Sequence, residues 1–169
     1  MHKLISQTSS PTMISELTKI AIISSLYVIV TISLAPISFG AIQFRLSEMF
    51  NFLALYHKRY VIAVTFGVVI ANFMSPTWFL DVPIGSISTF LVLIFCKHVT
   101  QQMKNDILKI TTTTIIFAVS MFTVAAQLTL LFDLPFFYTW LTVGIGELLS
   151  MTIGGIVIYW LAKRVDFTK

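Results

Sequence analysis

Nine side chains within or beside apolar stretches of this 169-residue sequence could bind a ligand. Three are carboxylates, one is a guanidinium, three are amides and two are indoles: Gln43, Arg45, Glu48, Asn72, Trp78, Asp81, Gln127, Trp140 and Glu147. Carboxylates accept hydrogen bonds, a guanidinium donates them, amides do both, and indole rings stack on flat ligands. This chemistry is typical of a small-molecule binding site.

The composition decides which elements must position these groups. Hydrophobic residues make up 57% of the chain, charged residues only 11%, and the mean hydropathy is +0.92. A soluble domain carries about 25% charged residues. The composition therefore excludes a disordered tail, a nucleic-acid-binding domain and an ordinary soluble enzyme. It predicts an all-α integral membrane protein whose residues 1–169 form a single membrane domain.

Charged residues divide the chain into six apolar segments, which we predict to be transmembrane helices. Their approximate bounds are 14–35, 44–57, 60–75, 82–98, 108–132 and 136–163. Helices 2 and 4 look too short to cross alone, because the apolar part of helix 2 spans about 16 Å of a core of about 30 Å. The preceding segment, 35–41, must then dip inward as non-helical backbone, which is tolerated only inside protein or beside a cavity.

The distribution of charge predicts the orientation. With six spans, ten of the eleven basic residues fall on one side together with both termini, and Arg45 is the exception. The positive-inside tendency makes that side cytoplasmic, so we predict a multi-pass cell-membrane protein in contact with lipid. The basic excess then requires no nucleic-acid partner. The single cysteine, Cys96, excludes a disulfide framework and a cysteine-based metal site, and no bound metal or cofactor is expected.

Six of the polar residues are predicted to lie deep in the membrane. Counting along the helices places them in its middle-to-outer half: Arg45, Glu48, Asn72, Asp81, Gln127 and Glu147. Each would cost about 2–3 kcal/mol or more if it faced lipid. We therefore expect these side chains to face inward and to form a pocket that opens to the outside.

Each charged candidate also has a structural interpretation. Arg45 and Glu48 are three residues apart, so they could form a salt bridge that braces helix 2 instead of a ligand site. Asp81 could be only the N-cap of helix 4, since Asp-x-Pro suits a helix start. Glu147 has no basic residue three or four positions away, so it needs a partner elsewhere, either Arg45 or a ligand.

The uncharged candidates have structural interpretations as well. Asn72 and Gln127 could join helices by hydrogen bonds, a common arrangement in membranes. Trp78 and Trp140 fall near the outer interface, where aromatic side chains are ordinary, and stacking on a ligand is the alternative role.

The run A-P-I-S-F-G-A-I-Q-F-R-L-S-E at 35–48 resembles the QueT family, substrate-binding S components of energy-coupling-factor (ECF) transporters for queuosine precursors. The resemblance extends over about residues 14–162. Shorter matches support it: L-Y-V at 26–28, A-N at 71–72, L-D-V at 80–82 with G-S at 85–86, and I-G-E-L at 145–148.

The resemblance implies a six-helix bundle that captures its substrate from outside and is not itself an enzyme. A transmembrane coupling protein and two ATPase subunits would supply the energy, so ATP would be used by the partners. The sequence has no G-x-x-x-x-G-K-[ST] run of its own. S components meet the coupling protein through small residues four apart on helix 1. The matching positions here are Ala21 and Ser25, where serine departs from the usual alanine.

The resemblance further implies a 7-deazaguanine substrate, such as preQ1, preQ0 or queuine. Glu147 would accept the N1–H and 2-amino donors, and Glu48 or Asp81 would face the aminomethyl cation of preQ1. The other candidates would bind the ring acceptors or stack on the ring: Gln43, Arg45, Asn72, Gln127, Trp78 and Trp140. Two alternatives are an S component for another vitamin and an intramembrane enzyme using the three acids. A scaffolding subunit is a third, and the buried polar groups argue against it.

Overall fold

The computed structural model describes residues 11–40 and 42–168, leaving out the side chains of Pro11 and Thr12. The described regular structure is entirely helical, without a strand, which confirms the predicted all-α class. We number six helices in chain order: α1 (Pro11–Ser33), α2 (Leu46–Leu55), α3 (Arg59–Asn72), α4 (Trp78–Thr100), α5 (Asp106–Phe132) and α6 (Phe136–Ala162).

Four of these helices are long and apolar enough to cross a membrane, namely α1, α4, α5 and α6. The other two are shorter than the roughly 20 residues that a lone span requires: α2 is a 3₁₀ helix of 10 residues and α3 has 14. Most of the residues in both short helices are buried. Their lengths are therefore set by packing inside the bundle, and the six-span count stays a prediction.

The prediction that helix 4 is too short to cross the membrane alone is wrong. Helix α4 begins at Trp78 and runs for 23 residues, with a π-helical turn at Asp81–Gly85. Pro83 lies in this turn and has no N–H to donate, and the wider turn accommodates it without ending the helix. Asp81 therefore lies inside the helix, so the alternative that it is the N-cap of helix 4 is also wrong.

The segment that leads into α2 was predicted to be non-helical throughout 35–41. In the structure Ala35–Ser38 forms one helical turn, with Pro36 in its first positions, where the missing N–H has no cost. Residues 39–40 are non-helical, as expected. Residues 42–45 are also non-helical, so helix 2 begins two residues later than the predicted start at 44. Ala41 lies outside the described residues.

The core of the bundle lies where α1, α2 and α3 meet the middle of α4 and α6. Its largest fully buried side chains include Tyr27, Phe52, Leu93 and Met151. The outer surface is also apolar, and Leu130, for example, is 82% exposed. A core and a surface that are both apolar are expected of a bundle whose solvent is lipid.

Arg59 holds one end of the bundle together. Its buried guanidinium forms an ion pair with Glu16 of α1 and donates a hydrogen bond to the carbonyl of Thr168 at 3.1 Å. The start of α1, the start of α3 and the tail after α6 therefore lie at the same end.

The close packing of α1 against α3 depends on a glycine. A Cβ atom on Gly67 would lie 2.8 Å from Cβ and 3.0 Å from Cγ of Tyr27. We predict that Gly67→Ala lowers the free energy of unfolding by about 1–3 kcal/mol, because the two helices must separate. Thermal unfolding of the purified protein in detergent measures this. Ile62→Ala, on the exposed face of α3, is the control, and equal melting temperatures for the two variants would contradict the prediction.

Candidate functional site

A polar cavity of about 40 Å³ lies among α2–α6 and the segment before α2. Three charged side chains line it: Arg45, Glu48 and Glu147. Its other polar and aromatic lining residues are Gln43, Ser88, Thr89, Phe117, Ser120 and Thr123. Its volume is close to that of one or two water molecules. We call this space the polar cavity.

Arg45 is fixed by three hydrogen bonds. Its Nε donates to the Ser38 carbonyl at 3.2 Å, Nη1 to Oδ1 of Asn72 at 3.2 Å, and Nη2 to Oε1 of Gln43 at 3.4 Å. The guanidinium also lies over the ring of Phe39, 5.2 Å from its centroid. These partners satisfy the cation without a carboxylate, and they hold it at one wall of the polar cavity.

Glu48 is buried and has donors on both carboxylate oxygens. The hydroxyl of Tyr27 donates to Oε1 at 2.7 Å, and the amide of Asn51 donates to Oε2. Glu48 and Arg45, both in the described part of the chain, form no ion pair with each other, so the salt-bridge alternative is wrong. Arg45 precedes α2 in extended backbone (φ −110°, ψ 94°), so the three-residue spacing does not put both side chains on one helical face.

Glu147 is the carboxylate with unused bonding capacity. It is 2% exposed, and within the described structure its Oε1 has no hydrogen-bond partner. A buried charge without a partner costs several kcal/mol. Glu147 is therefore the residue of the polar cavity that most needs a ligand.

Small residues on α6 bring the segment before α2 close to Glu147. A Cβ atom on Gly146 would collide with the backbone of Ile42, and one on Gly154 would collide with Met49. Between them, the hydroxyl of Ser150 donates to the carbonyl of Arg45. These contacts bring one face of α6 against Arg45 and α2, and Glu147 lies on that face.

The side chains of Asn72 and Asp81 form hydrogen bonds to other protein groups and do not line the polar cavity. Asn72 accepts from Arg45 and donates through Nδ2 to the Asp81 carbonyl at 2.8 Å. A Cβ atom on Gly85 would lie 2.8 Å from this Nδ2, so only glycine leaves room for the amide. The Asp81 carboxylate accepts from the hydroxyls of Ser75 and Thr77. Neither Asn72 nor Asp81 lines the polar cavity.

Three further candidates also lie away from the polar cavity. Trp78 is half exposed and stacks on Phe73, with 6.2 Å between ring centroids. Trp140 donates to the Val119 carbonyl at 3.1 Å. Gln127 is buried, donates to a backbone carbonyl of its own helix and has an unpartnered Oε1. No group of three metal-ligating side chains occurs among the residues that the structure describes.

A second space, the outer cavity, has a volume of about 430 Å³. It is lined by Phe39, Gly40, Gln43, Ser75, Pro76, Thr77, Leu128, Phe132, Leu134, Tyr138, Thr139 and Thr142. Gln43 lines both cavities, so it stands between them. Its φ of 51° is in the left-handed region, which non-glycine residues rarely adopt.

Several residues of the site do not stand out in the sequence. Tyr27 holds Glu48, and Phe117 is a buried ring that lines the polar cavity. Ser120 and Thr123 bring hydroxyls to the same cavity from α5. The three-residue spacing of these hydroxyls in an apolar stretch was a usable signal, because it indicates one helical face.

Tyr27 supports the site through one hydrogen bond. We predict that Tyr27→Phe lowers the free energy of unfolding by about 1.5–3 kcal/mol, because it leaves a buried carboxylate oxygen without its donor. Thermal unfolding in detergent measures the loss. Tyr159→Phe is the matched control at the other end of the bundle, and an equally stable Tyr27→Phe variant would show that Glu48 does not need this donor.

Comparison with known proteins identifies the family. The sequence profile of the QueT transporter family matches residues 17–164. The "Queuosine precursor transporter QueT" of Lactococcus lactis subsp. cremoris (strain MG1363) is 42% identical, over 91% of this chain and 96% of that protein. No solved structure matches the chain significantly. With the family profile covering most of the chain and a relative this similar over nearly its full length, the chain belongs to the QueT transporter family.

Proposed function

We propose that this chain is the substrate-binding S component of an ECF importer and captures a 7-deazaguanine from outside the cell. Its membership of a transporter family supports transport in place of catalysis, and its relative is named as a transporter of queuosine precursors. The observation that carries the proposal is Glu147, a buried carboxylate with an unpartnered oxygen at a polar cavity.

The chemistry of a 7-deazaguanine matches this carboxylate. Its N1–H and 2-amino group are adjacent donors, and one carboxylate can accept both. Glu147 takes this role in the proposal. The hydroxyls of Ser120 and Thr123 donate to backbone carbonyls in the structure, and in the proposal they rotate to donate to the ring acceptors. Phe117 replaces the two tryptophans as the ring that packs against the ligand.

The two cavities together supply the space for the ligand. The polar cavity, about 40 Å³, is far smaller than the roughly 300–1,000 Å³ of a ligand pocket, whereas the outer cavity, about 430 Å³, is in that range. In the proposal the ligand enters through the outer cavity and displaces the Gln43 side chain. The two spaces then merge, and the edge of the ligand that carries N1–H and the 2-amino group (the guanine edge) reaches Glu147.

We propose six spans with both termini in the cytoplasm. The short helices α2 and α3 cross as part of the bundle, where the longer helices cover them. Arg59 joins both ends of the described chain at one end of the bundle, the end that holds the basic loops. The positive-inside tendency assigns this end to the cytoplasm and the outer cavity to the outside.

The energy for uptake comes, in this proposal, from a transmembrane coupling protein and two ATPase subunits that use ATP. Ala21 and Ser25 are both exposed on α1, four residues apart. Small side chains at this spacing allow two membrane helices to approach closely. They are the contact that we propose for the coupling protein.

Titration of the purified protein with preQ0, preQ1, queuine and guanine tests whether it binds 7-deazaguanines. We predict that Glu147→Gln weakens binding of the 7-deazaguanines at least about tenfold, because the glutamine amide opposes the donors of the ligand. Asp106→Asn makes the same chemical change in the exposed first turn of α5, where the side chain lines neither cavity, and it should bind normally. Tight binding of another vitamin, with no binding of these ligands, would contradict the proposal.

Uptake of labelled substrate into cells that also express an ECF module tests the partner contact. We predict that the double variant Ala21→Leu, Ser25→Leu loses most uptake but still binds ligand, because the larger side chains keep the coupling protein away. Ile29→Leu, exposed on the same helix, should leave uptake unchanged. Normal uptake by the double variant, or uptake without any ATPase partner, would refute this part of the proposal.

A further inference from the structure

The charges that line the polar cavity do not balance. Glu48 and Glu147 are carboxylates, and Arg45 is the one guanidinium. Arg45 is also the one lysine or arginine between Lys19 and Lys58, and the remaining lysines and arginines of the described chain belong to the opposite end in the predicted topology. With the carboxylates ionised, the lining therefore carries one negative charge in excess.

The hydrogen bonds in the structure show that Glu147 is the carboxylate whose negative charge is least compensated. Arg45 is satisfied by a carbonyl and two amide oxygens, and neither carboxylate of the cavity is among its hydrogen-bond partners. Glu48 has Tyr27 and Asn51 as neutral donors. Glu147 has an oxygen without any partner in the described structure. In a low-dielectric site, one positive charge on the ligand would relieve the cost of the uncompensated carboxylate.

We infer that the ligand occupies this site as a monocation, and that the site discriminates against a neutral ligand of the same shape. The inference rests on the proposed function and narrows its substrate class to 7-deazaguanines that carry an amine, such as preQ1 and queuine. The nitrile of preQ0 brings no charge. The preference comes from the charge of the whole cavity, so removing either carboxylate reduces it, whichever one faces the ammonium.

Glu48→Gln is the most informative variant, because Glu48 lines the cavity while its oxygens bond to the protein. The change should be tolerated. Oδ1 of Asn51 has no partner in the described structure, so a flipped Asn51 amide can accept from the new Gln side chain. Glu147 stays available for the guanine edge. The variant then binds through the same edge in a cavity whose formal charge is zero.

The experiment compares preQ1 and preQ0 on the full-length protein by calorimetric titration at neutral pH. Wild type should bind preQ1 at least about tenfold more tightly than preQ0, since about 1.4 kcal/mol corresponds to that ratio. In Glu48→Gln the ratio should fall toward one, and Glu147→Gln should shift it in the same direction. Asp106→Asn, an equal charge change in the exposed first turn of α5 and outside both cavities, should keep the wild-type ratio.

The outcomes separate this inference from the function on which it rests. Equal or tighter binding of preQ0 to wild type overturns the inference and leaves capture of a 7-deazaguanine in place. A folded Glu48→Gln variant that keeps the wild-type ratio also overturns it. Failure of wild type to bind any 7-deazaguanine overturns both.

Discussion

A charged group inside a bilayer must find a partner within the protein or on a ligand, and this constraint organises the outer half of the bundle. The Arg45 guanidinium is held by Ser38, Gln43 and Asn72, which lie on two different segments of the chain. Those contacts fix the segment before α2 against α3. Asn72 in turn holds the irregular turn of α4 through the Asp81 carbonyl. One cation thus links three elements around the polar cavity.

The same constraint separates structural from functional acids. Asp81 is bonded to Ser75 and Thr77, and Glu48 to Tyr27 and Asn51, so both have partners before any ligand arrives. Glu147 keeps an unpartnered oxygen in the described structure. Glycines on its helix allow the approach of the chain that encloses it. The helix packing therefore holds an unsatisfied carboxylate beside a cavity, as a pre-organised binding site requires.

Hydropathy and charge predicted the helical class and all six helical segments, because the apolar stretches are separated by polar turns. The start of α4 was mispredicted because a π turn lets Pro83 lie inside a helix, and no local pattern shows that. Counting residues along the helices predicted Arg45, Glu48 and Glu147 at similar depths, and in the structure these three side chains line one cavity. Counting could not show that Asn72 and Asp81 face the protein, since those contacts join residues brought together by packing. Tyr27 was missed because its role depends on a contact 21 residues away.

The central claim is that Glu147 binds a 7-deazaguanine in the polar cavity. Mass spectrometry of the small molecule that co-purifies with the protein, from cells that make these compounds, tests it most directly. Wild type should carry a 7-deazaguanine at close to one molecule per chain, and Glu147→Gln should carry little or none. A different vitamin in wild type, or the same occupancy in the folded Glu147→Gln variant, would contradict the account.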